Sequence, residues 1–61
     1  MNFKGIKDSI SELPTNAEVG DLWLVKQKLV NREREADVVY FYEEYVYMGN
    51  SWACIGKRDF N

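Results

Sequence analysis

Four consecutive bulky apolar residues, Leu22-Trp23-Leu24-Val25, constrain the fold of this chain more than any other feature. Successive residues of a strand face opposite sides of a sheet, so apolar residues at every position indicate a strand whose two faces are both covered. The polar residues that follow, Lys26, Gln27 and Lys28, mark the point where the strand reaches solvent. This segment therefore predicts the central strand of a sheet, with something packed on each side.

The chain is short for a fold built around such a strand. Its 61 residues predict one domain, residues 1–61, with a single small core, because a chain of this size hides only about 60% of its extended surface on folding. Small domains usually depend on a disulfide, a metal or a partner subunit. Cys54 is the only cysteine and histidine is absent, so an intrachain disulfide cannot form and a zinc site would need an unusual ligand set. We therefore expect oligomerisation, or continuity with a larger protein.

Charge and hydropathy argue against two classes of partner. Ten acidic and eight basic residues give a net charge of −2, which is too weak and too mixed to attract nucleic acid over a distance. The longest apolar run, from Val38 to Tyr42, is far shorter than the roughly 20 residues of a membrane helix, and the N-terminus lacks the apolar stretch of a secretory signal. We expect a soluble protein, made in a cytoplasm, that binds neither nucleic acid nor membrane.

The N-terminal segment permits two interpretations. Its apolar residues are spaced by three or four, as in a short helix: Phe3, Ile6, Ile10 and Leu13. However, Gly5 weakens a helix and alternating lysines protect an open sheet edge, so we favour an extended segment or edge strand over Phe3–Lys7. Pro14 ends either element and biases Leu13 toward extended geometry. Turn-forming residues follow, and Gly20-Asp21 is placed to lead the chain into the central strand.

Strand-forming residues return in the second half of the chain, from Val38 to Met48. Neither Glu43 nor Glu44 favours the positive φ of a two-residue hairpin, so one long strand, bulged or regular, is favoured over a tight turn there. Gly49-Asn50-Ser51 is a stronger turn signal, because Gly and Asn both tolerate left-handed backbone. It predicts a hairpin that joins the long strand to a last strand at Trp52–Ile55.

The remaining segments are polar. Asn31 to Asp37 alternates in charge sign and is interpreted as a solvated hairpin loop, because its own glutamates would compete with an anion for Arg32 and Arg34. Gly56–Asn61 is interpreted as a tail anchored by Phe60. The expected fold is all-β: a small antiparallel β-meander of three to four strands, single-layered or partly closed, with an extended or short-helical N-terminal segment.

Four short motifs occur in order along the chain: Leu13-Pro14, Gly20-Asp21-Leu22-Trp23-Leu24-Val25, Tyr45-Val46-Tyr47-Met48-Gly49-Asn50-Ser51-Trp52 and Ile55-Gly56. In this order and spacing, which covers nearly the whole chain from Phe3 to Gly56, they resemble a small β-module that recurs in bacteriophage virion proteins, notably head-fibre and tail-fibre-type proteins. The resemblance implies a structural or attachment role in a virion, often as a trimer, without catalysis. It assigns no function to individual residues, because the motif positions build the fold.

Groups able to carry out chemistry are few. The carboxylates that could form an acid/base pair lie on the turn-rich N-terminal part, where no cleft is predicted: Asp8, Glu12, Glu18 and Asp21. Cys54 has no histidine to activate it, and its alternation with Trp52 on one face of the last strand predicts a buried small hydrophobe. We therefore expect no enzymatic activity, no cofactor and no metal site.

The aromatic residues exceed what so small an interior can hide. Exposed Tyr and Trp are typical of protein interfaces, sugar-stacking sites and base-stacking sites, and the last of these needs a cationic groove that the sequence lacks. The candidate interaction surface comprises Tyr45, Tyr47, Trp52, Tyr40 and Tyr42. The leading hypothesis is a virion component that self-associates or docks on other virion proteins. The alternative is a stand-alone domain that binds a carbohydrate, such as a surface glycan, or an extended peptide.

Overall fold

The computed structural model describes residues 2–30 and 38–59. These residues form one open sheet with its strands in chain order: β1 (Asn2–Lys7), β2 (Asp21–Val30), β3 (Val38–Tyr47) and β4 (Trp52–Asp59). A 3-10 turn, Ile10–Glu12, lies between β1 and β2. The expected all-β class is therefore confirmed. The prediction of a tail over Gly56–Asn61 is wrong for its first four residues, because Gly56–Asp59 belong to β4. The loop predicted over Asn31–Asp37 and the anchor predicted at Phe60 lie outside the described residues.

The direction of β1 makes the sheet mixed instead of wholly antiparallel. β1 pairs in parallel with β2, from Asn2 opposite Asp21 to Lys7 opposite Val25, whereas the β2–β3 and β3–β4 pairs are antiparallel. Parallel neighbours need a crossover that returns the chain to the starting end of the sheet, and residues 8–20, here called the crossover segment, provide it. The preference for an edge strand over Phe3–Lys7 is confirmed.

The crossover segment is held by the Gly20-Asp21 turn. Gly20 has a φ of +92°, its N–H donates to the Tyr47 carbonyl oxygen over 2.9 Å, and its carbonyl accepts from the Asn2 N–H over 2.9 Å. The Asp21 carboxylate accepts a hydrogen bond from the Glu18 N–H at 3.1 Å. These bonds tie the ends of β1 and β3 to the start of β2. The same residues that carry the sequence motif therefore clamp three strands together.

The central strand is confirmed at the point where β1 and β3 flank β2. Val25 is fully buried and Leu24 is only 8% exposed. Because neighbouring residues of a strand face opposite sides, β2 buries one side chain on each side of the sheet here. Among the described residues, however, only the crossover segment packs over a face, so the expectation of something packed on each side is not met. Beyond Val25 the β1 partner ends, and β2 continues beside β3 to Val30, where both strands are exposed.

β3 is one uninterrupted strand through Glu43 and Glu44, as favoured from the sequence. The irregularity lies in β4 instead. Glu44 is opposite Gly56 and Tyr45 is opposite Cys54, so Ile55 is the extra residue of a β-bulge. The hairpin after β3 is also confirmed, because the Met48 N–H donates to the Ser51 carbonyl over 2.9 Å and Gly49 has a φ of +106°.

The register divides the side chains between two faces, since residues paired across strands share a face. On the crossover face, the Trp52 indole N–H donates to the Pro14 carbonyl over 3.2 Å, and Leu13 of the crossover segment is buried. This face carries Trp23, Val25, Tyr45, Tyr47 and Trp52. The opposite side, here called the open face, carries Phe3, Ile6, Leu22, Leu24 and Val46.

Candidate functional site

Three of the five predicted interaction residues come together on the crossover face. Tyr45 lies opposite Cys54 and Tyr47 lies opposite Trp52. The ring centroids of Tyr47 and Trp52 are 5.1 Å apart with a tilt of 54°, a geometry typical of favourable aromatic pairs. All three side chains are half-buried, and the hydrogen bond from Trp52 to Pro14 places the crossover segment against them.

The other two predicted residues, Tyr40 and Tyr42, lie on the open face. Tyr42 is opposite Lys26 and Arg58, and Tyr40 is opposite Lys28. The five residues therefore do not form a single surface. The reason is parity: the pairing of β3 with β2 is regular from Val38 to Val46, so even-numbered and odd-numbered side chains of β3 point to opposite sides.

The interpretation of Cys54 as a buried residue is wrong, because its side chain is exposed. Cys54 does share a face with Trp52, as alternation predicted. However, the contact made by the crossover segment is at Trp52, near the hairpin, and β4 is an edge strand with no further strand beside it in the described chain. The thiol lies 3.6 Å from Glu43 Oε2 and 3.6 Å from the Gly56 carbonyl oxygen.

The structure changes the titration of Tyr45. Its hydroxyl donates to Glu43 Oε1 at 3.5 Å. Partial burial raises the pKa of the Tyr45 phenol, and the adjacent Glu43 carboxylate raises the pKa further because it repels the phenolate. At neutral pH Tyr45 is therefore a protonated hydrogen-bond donor and not a base.

Trp23 has a packing role. It lies opposite Gly5 on one side and Tyr45 on the other, and a Cβ on Gly5 would come within 3.2 Å of its ring. The Lys7 ammonium is 4.8 Å from the ring centroid, within the range of a cation–π contact. The ring is thus enclosed between β1 and β3.

Two cross-strand rows form the apolar centre of the open face. One row is Phe3, Leu22, Val46 and Ala53, and the next contains Ile6 and Leu24. Leu24 and Val46 are buried, but Phe3 remains 60% exposed and Ile6 51% exposed. A depression of about 280 Å³ lies between Phe3, Leu22, Leu24 and Arg58.

Three more exposed apolar side chains lie on the open face at the far end of the sheet. Val30 is paired with Val38 at that end, and Tyr40 lies two residues after Val38 on the same face of β3. All three are exposed. The charged residues of this face are Arg58 and Glu44, which form an ion pair with Nε 2.9 Å from Oε1, and Lys26 and Lys28, which lie opposite Tyr42 and Tyr40. Sequence reasoning did not identify the exposed apolar residues of the open face. The pattern that could have indicated them is the apolar residues at even-numbered positions of β2 and β3, together with Phe3 and Ile6 of β1.

The acidic residues considered for catalysis do not form a cluster around a cleft. Asp21 is buried and caps the turn at Glu18, with Lys4 Nζ 4.0 Å from its Oδ1. Within residues 2–30 and 38–59, no three His, Cys, Asp or Glu side chains are placed to hold a metal ion. The same residues contain no helix with the length and apolar character needed to cross a bilayer.

The chain matches no protein-family model, no curated protein and no solved structure.

Proposed function

We propose that this chain is a non-enzymatic structural or attachment module of a bacteriophage virion, as a fibre, capsid or tail component, and that it assembles through the open face of its sheet. The observation that carries the proposal is that apolar side chains at both ends of that face remain exposed, Phe3 and Ile6 at one end and Val30 and Val38 at the other. The crossover segment packs against the other face. Assembly with a protein partner would supply the missing layer.

The energetic argument follows from the architecture of small domains. Domains are built from at least two packed layers, because a sheet with an apolar face must bury that face against another element. Burying one exposed Phe or Ile side chain contributes roughly 1.5–3 kcal/mol. Phe3 and Ile6 are 60% and 51% exposed, so burying the rest of both offers roughly 2–3 kcal/mol, a large part of the roughly 3–5 kcal/mol that a core of this size supplies.

The virion assignment rests on the motif resemblance. The structure gives the motif positions a common purpose, since Gly20 bonds to both Asn2 and Tyr47 and Gly49 forms the hairpin turn. Residues that build a fold are expected to recur wherever the module recurs. This supports the proposal that the chain is a module of the virion type. We expect the side chains of the open face, and not the motif residues, to determine which partner it binds.

A glycan-binding domain is the second candidate, and one observation favours it. Tyr47 and Trp52 lie side by side at the hairpin, next to the exposed polar residues Asn50 and Ser51. Aromatic faces beside polar groups suit sugar stacking. Against it, the Trp52 indole N–H is already bonded to Pro14 and both aromatic residues are half-buried.

Two measurements test the proposal. An antibody against the chain should detect it in purified particles of the phage that encodes it, and absence from particles would contradict a virion role. The variant Phe3→Ser/Ile6→Ser should lose incorporation into particles, whereas Val19→Ser, which changes an apolar residue of the crossover segment that is 71% exposed, should be incorporated normally. Normal incorporation of the first variant, together with loss of glycan-array binding by Tyr47→Ser, would favour the glycan-binding candidate.

A further inference from the structure

The last five residues of β2 lie beside only one neighbouring strand of the described chain. β1 pairs with β2 as far as Val25, whereas β2 continues beside β3 to Val30. The side of residues 26–30 that faces away from β3 is here called the free edge. Its backbone N–H and C=O groups are the groups to which another strand would bond.

The structure leaves space for a strand at the free edge. β1 ends at Lys7, opposite Val25. A depression of about 450 Å³ lies beside this end, and its lining residues come from the crossover segment, β2 and β3: Asp8, Lys26, Gln27, Lys28 and Tyr40. Gln27 faces the other side of the sheet from Lys26 and Lys28, so the depression borders residues of both faces. A strand placed there would continue the line of β1.

The far end of the sheet would gain stability from a further strand. β4 pairs with β3 only as far as Asp59, opposite Phe41, so the described sheet is two strands wide beyond that pair. A two-stranded ribbon is at best marginally stable in water. Leu29 and Val30 face opposite sides of the sheet and are 63% and 42% exposed. An added strand would bring apolar neighbours to both.

Charge indicates which kind of strand fits the free edge. Lys26 and Lys28 lie on the same face of β2; Lys28 is exposed, and the Lys26 ammonium is 5.0 Å from the Tyr40 ring centroid. Opposite charges on residues paired across strands are favourable, and like charges are unfavourable. Asp8 adds one negative charge to the depression, and the two lysines outnumber it. A second copy of β2 would bring these lysines near its own, so an acidic strand fits better.

We infer that the free edge of β2 binds an extended segment of another protein as an added strand. Acidic residues of that segment lie opposite Lys26 and Lys28, and apolar residues lie opposite Leu29 and Val30. In this mode of binding, main-chain hydrogen bonds provide affinity and the alternating side chains provide specificity. The site is an edge of the sheet and not its open face, so the inference goes beyond the proposed function and does not depend on it.

Titration of the isotope-labelled full chain with short synthetic peptides, followed by NMR, tests this inference. An added strand can run in either direction, so the probes are acetyl-Glu-Thr-Glu-Val-Val-amide and the peptide of reversed sequence. At least one probe should bind, shift the backbone amide signals of residues 26–30 and slow hydrogen exchange there. Replacing its glutamates by lysines should weaken binding at least about tenfold.

Two controls separate strand addition from other contacts. Two N-methylated versions of the binding probe carry their methyl groups on alternate sets of amides. One version should lose binding, because the methyl groups replace the N–H donors that face β2, and the other should keep it, because its methyl groups face away. Lys28→Gln should reduce the preference for glutamate over lysine probes about threefold, whereas Lys57→Gln, at an exposed lysine of β4, should leave it unchanged.

Four results would overturn the inference. The first is failure of both glutamate probes to bind at millimolar concentration, and the second is equal binding of glutamate and lysine probes. The third is equal binding of the two N-methylated versions, with signal changes at Phe3, Leu24 and Val46, which would place the peptide on the open face. The fourth is slowed exchange at residues 26–30 that grows with the concentration of the chain alone, which would assign the edge to a second copy. The proposed function is tested separately, by incorporation into particles.

Discussion

Gly5 shows at the scale of one residue how a missing side chain permits a strand to pack. It sits opposite Trp23 with a φ of +146°, a backbone conformation that residues with a Cβ rarely adopt. The indole ring occupies the space in which a Cβ would stand. The glycine that argued against a helix in the sequence therefore has a second role, because it lets β1 approach the central strand.

Gly5→Ala should destabilise the fold by about 1–3 kcal/mol, because the new Cβ meets the Trp23 ring and the backbone conformation becomes strained. The measurement is the midpoint of urea unfolding. Gly56→Ala is the matched control, since a Cβ there would make only an ordinary contact of 3.6 Å with Glu44 Oε1. Equal midpoints for the two variants would contradict the packing of Trp23 over Gly5.

Tyr45 offers a test of the electrostatics on the crossover face. Its phenol pKa is raised above the ordinary value of 10.0 by burial and by Glu43. The unfolded chain therefore loses this proton first, so the stabilising contribution is complete below about pH 10 and is lost as pH rises through the folded-state pKa. Absorbance titration of the parent and of Tyr45→Phe should give a difference curve with its midpoint above 10. A midpoint at or below the ordinary value would contradict this environment for Tyr45.

At the scale of elements, the hairpin between β3 and β4 depends on one backbone conformation. Gly49 has a φ of +106°, and a Cβ there would lie 3.3 Å from Val19 Cγ2. The turn therefore contacts the crossover segment as well as joining two strands. Turn chemistry in the sequence located this hairpin because Gly-Asn-Ser lies between two alternating segments.

Gly49→Val should lower the free energy of unfolding by about 1–3 kcal/mol, because a β-branched residue is strained at positive φ. Asn50→Val provides the comparison, since no described non-glycine residue has a positive φ. Thermal unfolding followed by near-ultraviolet circular dichroism, which reports the packing of Trp52, is a suitable measurement. If both variants melted together with the parent, the turn would not require glycine.

The elements also show what the sequence could and could not determine. Alternation and turn residues located β2, β3 and the hairpin, since these signals are local. The direction of β1 was not predictable, because an edge strand with the same side chains can pair either way and the long connection to Asp21 permits both. The separation of Tyr42 from Tyr45 follows from alternation along β3 and could be predicted from the sequence, whereas the exposure of Cys54 depends on where the crossover segment packs, which is a tertiary property.

At the scale of the whole molecule, the described chain is a single sheet with the crossover segment packed on one face only. Its radius of gyration is 13.1 Å, larger than the roughly 10 Å expected for a globular chain of this length. The buried apolar residues are few: Leu13, Leu24, Val25 and Val46. A shape of this kind has more apolar surface than it can cover alone, and this is the physical basis for proposing assembly through the open face.

Hydroxyl-radical footprinting tests that central claim most directly, because it reports the solvent exposure of individual side chains. The test compares the reactivity of the chain in dilute solution with that of the chain at high concentration or assembled into particles. Phe3 should become strongly protected on assembly, whereas Val19, which is 71% exposed in the crossover segment, should react equally in both states. Unchanged reactivity of Phe3, with protection appearing instead at Tyr47 and Trp52, would contradict assembly through the open face.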